Sequence, residues 1–238
     1  MIDDQALDQM RRPTVTRPLL GLTILAVEDS LYACDALRLM CLHSGARLRR
    51  ADCLKSARRH LQVYRPSAVI VDMGLPDGSG ADLIAELSNT VPRVSVILGT
   101  SGDSFAEDVA FAAGADGFLA KPITNLGVFQ TAILQHLPKD LQPCGLRMVR
   151  SEPIHPDPVA FREDMAHAAE ILSGPIDSST VEYLTLFLRG VARTAEDEKL
   201  ETAASDLADA RSGGGTLEGQ ISRLSGLVQA RLQDAVAI

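Results

Sequence analysis

The sequence predicts an α/β fold, a five-stranded doubly wound parallel sheet, followed by a smaller all-α four-helix bundle. Up to residue 138, short apolar runs alternate with amphipathic stretches, which is typical of strand and helix repeats in a parallel sheet. A proline-rich stretch then interrupts the pattern. Beyond it, apolar residues recur only at helical spacing, which favours an all-helical second domain.

The five apolar runs of the first part end in polar or turn residues, as strands buried on both faces of a sheet do. We predict strands at 22–27, 47–51, 68–72, 93–98 and 117–120. The segments between and after them repeat apolar residues with the period of a helix. We predict helices at 31–43, 53–64, 80–89, 104–113 and 124–137.

Breaks in this pattern set the domain boundaries. Residues 1–19 are polar with two prolines and predict an N-terminal arm, and residues 20–138 predict the α/β domain. Residues 139–159 are rich in proline, which forbids continuous helix, so we predict a linker or a wrapped connection there. Residues 160–238 predict a bundle of four amphipathic helices, with a break at Gly213–Gly215.

The composition is that of a globular protein, with 46% hydrophobic residues and a formal net charge of −8. Because nonspecific nucleic-acid binding depends on Lys and Arg, we expect no nucleic-acid partner. Cys34 and Cys41 lie on an apolar helix face without CxxC spacing, which favours a core role over metal binding or a disulfide. Asp3 and Asp4 argue against a signal peptide and no run of about 18 apolar residues occurs; we expect a cytoplasmic protein.

Acidic residues and a lysine follow three of the predicted strands. Glu28 and Asp29 follow the first strand, Asp72 ends the third, and Lys121 follows the fifth. Open parallel sheets bind ligands at the carboxyl ends of their strands, so these side chains should converge. Three carboxylates a few ångströms apart repel one another by roughly 4 kcal/mol per pair at an effective dielectric near 20. Mg²⁺, a hard cation that prefers oxygen ligands, would relieve that repulsion.

Residues 20–137 resemble the receiver domain of bacterial two-component response regulators, which has a flavodoxin-like fold. The elements that carry the resemblance are, in chain order, Glu28-Asp29, Asp72, Thr100, Phe118 and Lys121-Pro122. The resemblance implies a response regulator of a phosphorelay, which accepts a phosphoryl group from a sensor histidine kinase or phosphotransfer protein. It implies that the protein is not an enzyme and at most removes its own phosphoryl group slowly.

The resemblance also implies a role for each site residue. Asp72 would be the phosphoacceptor. Asp29, Asp72 and the Gly74 carbonyl would ligate Mg²⁺ directly, and Glu28 would do so through water. Lys121 would bind a phosphoryl oxygen from across the site, in a transfer that depends on positioning and charge neutralisation.

The switch residues depart from the family pattern. Thr100 lies one residue closer to Lys121 than is usual, so Gly99 occupies the spacing-matched position. Either the loop lost a residue and Thr100 supplies the hydroxyl, which we favour, or Gly99 replaces it and the switch is impaired. Phe118 replaces the commoner tyrosine and is either a mobile switch without a hydroxyl or a fixed core aromatic. Pro122 stands where the family has a cis peptide bond.

Residues 160–236 resemble, more weakly, a histidine phosphotransfer domain. The family motif HxLKG is matched by LFLRG, with Leu186 in place of the phosphorylated histidine. On a helical wheel Leu186 lies on the polar face near Arg189, Gly190 and Arg193, opposite a core stripe of Leu184, Leu188 and Val191. We predict that this face binds a downstream protein partner and transfers no phosphate; the alternative is an isolated exposed leucine.

Two rival functions remain. A DNA-binding transcription regulator is disfavoured by the acidic composition and the lack of a helix-turn-helix pattern. A pseudo-receiver scaffold that is not phosphorylated gains weight if Gly99 faces Asp72. We expect no membrane partner, and self-association into a homodimer is left open.

Overall fold

The structure, a computed structural model, describes residues 13–103, 105–143, 154–213 and 217–234. Its strands are β1 (Thr23–Val27), β2 (Arg47–Ala51), β3 (Ala68–Asp72), β4 (Gly74–Leu75), β5 (Gly78–Ser79), β6 (Val96–Ser101) and β7 (Gly117–Ala120). Five of them form one sheet in the order β2-β1-β3-β6-β7, and each neighbouring pair is parallel. The predicted five-stranded parallel sheet is therefore confirmed.

Five helices cover the two faces of this sheet: α1 (Leu31–Ser44), α2 (Leu54–Val63), α3 (Gly80–Asn89), α4 (Ala106–Ala113) and α5 (Leu126–Leu134). Local sequence explains their ends. Ser30 caps the first turn of α1 by accepting a hydrogen bond from the Ala33 amide, and Asn125 caps α5 in the same way. Gly45, at φ 83°, ends α1 in the left-handed conformation that glycine adopts most readily.

Apolar residues lie on both faces of the sheet, as the continuous apolar runs predict. One cluster joins α1 and α5 to the sheet and includes Leu37, Ile70 and Phe129. The other lies under α2, α3 and α4 and includes Val71 and Ile84. Because both faces are covered, polar side chains at the carboxyl edge of the sheet are held on a rigid base.

One prediction about the strands was wrong in detail, and one pair of strands was missed. The fourth long strand is Val96–Ser101 instead of 93–98, because Gly99, Thr100 and Ser101 are extended by pairing with the strands on either side. The hairpin of β4 and β5 was not predicted. It closes through a turn in which Gly78 has φ 146°, a conformation that glycine alone adopts readily.

The start of the α/β domain needs correction, and the end of the proline-rich stretch packs against that domain, in line with the wrapped alternative. Leu19, placed in the arm, is fully buried in the core beneath α1 and α5, and Ile154, placed in the linker, is buried in the same cluster. The Ile154 amide donates to the Thr124 carbonyl at 3.2 Å. The connection therefore returns to the α/β domain before the bundle begins. Residues 1–12 of the arm and 144–153 of the linker lie outside the described residues.

The C-terminal part forms helices α6 (Pro158–Leu172), α7 (Ser178–Thr194), α8 (Glu198–Ser212) and α9 (Glu218–Asp234). Asp157, Asp177 and Asp197 cap the first three of them. Packed helix pairs run α6–α7, α7–α8, α8–α9 and α9–α6, so the four helices enclose one apolar core. Leu184, Leu188 and Val191 lie in that core with at most 1% exposure, which confirms the predicted core stripe of α7.

Among the described cysteines, Cys34 and Cys41 are free and buried, and burial raises the pKa of each thiol to about 12. They act as small core residues, as predicted. None of the described helices combines the length and apolar character needed to cross a membrane.

Candidate functional site

The three predicted carboxylates converge at the carboxyl edge of the sheet. Glu28 and Asp29 follow β1, and Asp72 ends the neighbouring strand β3. One oxygen atom from each lies within 4.8 Å of the other two. From β1 the chain continues to β2 on one side of the sheet and then to β3 on the other side. Open α/β sheets bind their ligands at such a switch point, here between β1 and β3.

Lys121 reaches the same point from the end of β7. Its Nζ lies 2.6 Å from Asp72 Oδ2 and 2.7 Å from Glu28 Oε2, and its side chain is 4% exposed. Burial alone would lower the pKa of Lys121, but the charges of Asp72 and Glu28 outweigh it, and the pKa lies above its ordinary value. The lysine is therefore charged, and the Lys121–Pro122 peptide bond after it is cis, as the resemblance implies.

One lysine does not balance three acids. Burial raises the pKa of Glu28 well above its usual value, even though Lys121 opposes the shift. Burial, together with the charge of Asp72, raises the pKa of Asp29 to about 7. The guanidinium of Arg50 donates to the backbone carbonyls of Glu28 and Asp29, at 3.4 and 2.9 Å, and not to their carboxylates.

The donor set fits a divalent cation. Glu28 Oε2 is buried and lies 2.7 Å from Lys121 Nζ, and it has no further hydrogen-bond partner among the described residues. A buried oxygen with an unused lone pair beside two more carboxylates suits a hard metal ion. Within the described chain, this is the one group of three His, Cys, Asp or Glu side chains close enough to hold a metal.

The switch residues lie where β3, β6 and β7 meet. Thr100 is paired with Asp72 in the register of the sheet and is fully buried, with its hydroxyl donating to the Leu119 carbonyl at 2.7 Å. Gly99 faces the other way: a Cβ at that position would lie 2.7 Å from Ala110 and 3.1 Å from Phe118. Phe118 packs against the cluster under α2, α3 and α4.

Two glycines shape the surroundings of Asp72. A Cβ on Gly80 would lie 2.0 Å from the Asp72 carbonyl oxygen, so any other residue there would displace the end of β3. Gly74 donates its amide to Asp72 Oδ1 at 3.2 Å, which orients the carboxylate. The importance of Gly80 was missed, because its close contact arises from the unpredicted hairpin.

The family model described as the response regulator receiver domain matches residues 24–133. This segment is a response regulator receiver domain. The receiver is similar to KdpE of Escherichia coli strain K12, a KDP operon transcriptional regulatory protein, with 30% identity over 46% of this chain and 48% of KdpE. It is also similar to the transcriptional regulatory protein PhoP of Escherichia coli O157:H7, with 30% identity over 42% of this chain and 45% of PhoP. The chain thus spans about half the length of the curated relatives it matches.

Solved structures match about half of the chain. A response regulator from Chloroflexus aurantiacus has 29% identity and a TM-score of 0.44, covering 48% of this chain and 98% of that one. Another match is the receiver domain of a sensor histidine kinase from Pseudomonas aeruginosa, which is described with a magnesium ion in its active-site cleft. It has 24% identity and a TM-score of 0.44, and the match covers 48% of this chain and 96% of that one. The family match ends at residue 133, so α6 to α9 lie outside it.

The second domain lies directly on the receiver site, and its residues were not predicted there. The Tyr183 hydroxyl donates to Asp29 Oδ2 at 2.6 Å. Burial, then the charge of Asp29, raises the pKa of Tyr183, so the phenol stays a donor. The sequence shows a tyrosine one helical turn before Leu186, but only the docking of the two domains reveals its partner.

The predicted partner-binding face of α7 meets the receiver. A Cβ on Gly74 would lie 3.1 Å from the Leu186 side chain, and a Cβ on Gly190 would lie 3.5 Å from Lys121 Nζ. A Cβ on Gly102 would lie 3.3 Å from the Arg193 side chain. The Nε of Arg193 donates to Glu201. The Nε of Arg189 is buried without a hydrogen bond to the described residues.

Asp164 of α6 anchors the bundle to the receiver. Its carboxylate accepts hydrogen bonds from the Ser30 hydroxyl at 2.7 Å, the Leu31 amide at 2.8 Å and the Tyr32 amide at 3.0 Å. Asp164 is 2% exposed, and burial raises its pKa while the hydrogen bonds oppose that shift. Tyr32 also packs edge-on against Phe161, with ring centroids 5.6 Å apart. Two anchors, one polar and one aromatic, therefore hold the interface.

Proposed function

We propose that this chain is a response regulator that accepts a phosphoryl group on Asp72, with Mg²⁺, from a phosphohistidine of a sensor histidine kinase or phosphotransfer protein. The observation that carries the proposal is the convergence of Glu28, Asp29 and Asp72 with Lys121 at one edge of the receiver sheet. An acceptor carboxylate beside a buried cation and two further oxygen ligands is what phosphoryl transfer requires.

In this mechanism an Asp72 carboxylate oxygen forms a bond to phosphorus while the N–P bond of the donor breaks, and the bonding pair stays on the imidazole nitrogen. Lys121, now 2.6 Å from Asp72 Oδ2, would turn to a phosphoryl oxygen. Asp29 and Asp72, with the Gly74 carbonyl and water-linked Glu28, would hold Mg²⁺, which supplies positive charge to the transferring group. The Gly74 amide keeps the attacking carboxylate oriented.

The proposal predicts a single labelling site. Incubation of the full chain with acetyl phosphate and Mg²⁺ should add one phosphoryl mass, because Asp72 is the carboxylate that Lys121 and the metal ligands surround. Intact-mass spectrometry measures the addition. Asp72→Asn, or the wild type in EDTA, should show none; full labelling of either would disprove the assignment.

Thr100 is proposed to carry the switch hydroxyl, since it is the residue paired with Asp72 and Gly99 faces the opposite side of the sheet. On phosphorylation the hydroxyl would leave the Leu119 carbonyl and turn toward the new charge. Thr100→Ala should therefore leave acetyl phosphate labelling nearly intact while weakening the phosphorylation-dependent change in association. Size-exclusion chromatography of labelled and unlabelled protein measures that change; a variant that matches the wild type in both respects would favour an impaired switch.

We further propose that the C-terminal bundle signals by contact with a protein and not with DNA. The acidic composition disfavours phosphate contacts, and the similarity to transcriptional regulators covers less than half of the chain. Binding of duplex DNA at low salt would overturn this part of the proposal. Leu186 faces the receiver in this structure, so a partner that binds it would do so after α7 leaves the receiver, and Leu186→Asp should then cost that partner more than about 1 kcal/mol.

A further inference from the structure

We propose that α7 is a built-in cap on the receiver: its Tyr183–Leu186–Gly190–Arg193 face occupies the surface through which a phosphohistidine would reach Asp72. The bundle and the phosphodonor would therefore exclude each other. This inference rests on the proposed function, because it concerns access to the same aspartate.

The cap covers the site from several sides. Tyr183 holds the metal-ligand candidate Asp29 by a 2.6 Å hydrogen bond. Leu186 lies against Gly74, two residues after Asp72, and the α7 backbone at Gly190 passes Lys121. Beneath them Asp72 is 8% exposed and Lys121 is 7% exposed, so a donor helix has no room to approach while α7 is in place.

The chemistry of this face explains why it covers without reacting. Leu186 stands in LFLRG where a phosphotransfer helix would carry its histidine, and a leucine can neither receive nor donate a phosphoryl group. It takes no part in the bundle core, whose members include Leu184 and Leu188 on the other side of the helix. The leucine thus serves the contact with the receiver and not the fold of the bundle.

Beside the cap an opening remains. A cavity of about 490 Å³ is lined by residues of both domains, among them Asp29, Arg50, His167 and Tyr183. Asp72 and Lys121 are not among its lining residues. An ion could therefore reach Asp29 from this side, whereas the acceptor carboxylate stays behind α7.

Gly190→Leu in the full chain tests the cap. The new side chain would extend from a Cβ already 3.5 Å from Lys121 Nζ, so it should push α7 away, while leucine is a better helix former than glycine and does not weaken the bundle. Gly226→Leu is the matched control: it makes the same change in α9, where a Cβ meets nothing within 4 Å. Leu186→Asp, which sets a charge against the acidic site, is a second opening variant.

Two readouts are measured on each protein. Phosphoramidate with Mg²⁺ should label Asp72 roughly tenfold faster in both opening variants than in the wild type or Gly226→Leu, since the apparent rate scales with the open fraction. Hydrogen exchange of the Leu31 and Tyr32 amides, which donate to Asp164, should speed up in the same variants.

The outcomes separate the two proposals. Equal labelling rates in all four proteins, with faster exchange showing that the bundle has left, would overturn the cap while Asp72 remains the acceptor. Exchange that stays slow in both opening variants would overturn it as well, because α7 would then not be held by the contacts described. No label on any protein, with acetyl phosphate also inactive, would instead overturn the proposed function and the cap that rests on it.

Discussion

Leu188→Asp is expected to unfold the C-terminal bundle while the receiver sheet stays folded. Leu188 is fully buried in the bundle core, so the change removes a core leucine and leaves an unpaired carboxylate in an apolar site. The loss of unfolding free energy should exceed about 3 kcal/mol. Circular dichroism should show a large loss of helical signal at a temperature where the wild type is folded.

Leu186→Asp is the matched control, two residues away on the same helix. Leu186 contacts Gly74 of the receiver and is not part of the bundle core. The helical content should be kept, and the loss of unfolding free energy should stay well below that of Leu188→Asp, because Leu186 lies outside the bundle core. Equal unfolding by the two variants would mean that Leu186 is a core residue, and the assignment of this face to receiver contact would fall.

The second large effect is a fall in stability as the pH rises without metal. Asp29 has a pKa of about 7 in the folded protein, against an ordinary value of 3.8. At a pH between these two pKa values, the folded state binds more protons than the unfolded state. The free energy of unfolding therefore falls as the pH rises from about 4 to about 7. At about 1.4 kcal/mol for each pKa unit, the loss contributed by Asp29 over the whole window should be on the order of 4 kcal/mol. Glu28, whose pKa is also raised, acts in the same direction.

Urea unfolding in EDTA at pH 4, 5, 6 and 7 measures this dependence. Other acids also respond to pH, so the informative quantity is the difference between the wild type and Asp29→Asn, which can still accept the hydrogen bond from Tyr183. The unfolding free energy of the wild type should fall relative to that of the variant as the pH rises. Excess Mg²⁺ at pH 7 should raise the stability of the wild type more than that of the variant. A difference that is flat with pH would show that Asp29 keeps its ordinary pKa.

Much of the receiver could be predicted from the sequence, because its strands are continuous apolar runs and their ends carry the polar residues. Parallel strands bring their carboxyl ends to one edge, so the meeting of Glu28, Asp72 and Lys121 follows from chain order. The ends of β6 could not be found in this way. Gly99 is of a residue type depleted in strands and interrupts the apolar run, and the extended conformation of Gly99 and Thr100 comes from pairing with β3 and β7.

The face of α7 could also be predicted in part. Helical periodicity placed Leu188 inside the bundle and Leu186 outside it, and the structure agrees. What covers Leu186 could not be predicted, because periodicity describes one helix and contains no information on the docking of two domains. The contacts of Tyr183 and Asp164 with the receiver are missing from the sequence interpretation for the same reason.

The carboxylate of Asp164 accepts the Leu31 and Tyr32 amides at the start of α1, although it is more than 130 positions away along the chain. A helix normally finds partners for its first amides close by in sequence. Here the first turn of α1, directly after Asp29, is completed by a residue that belongs to the other domain. The bundle therefore helps to order the start of the receiver's first helix, and a fragment ending at residue 143 would begin α1 with a turn less firmly held than in the intact chain.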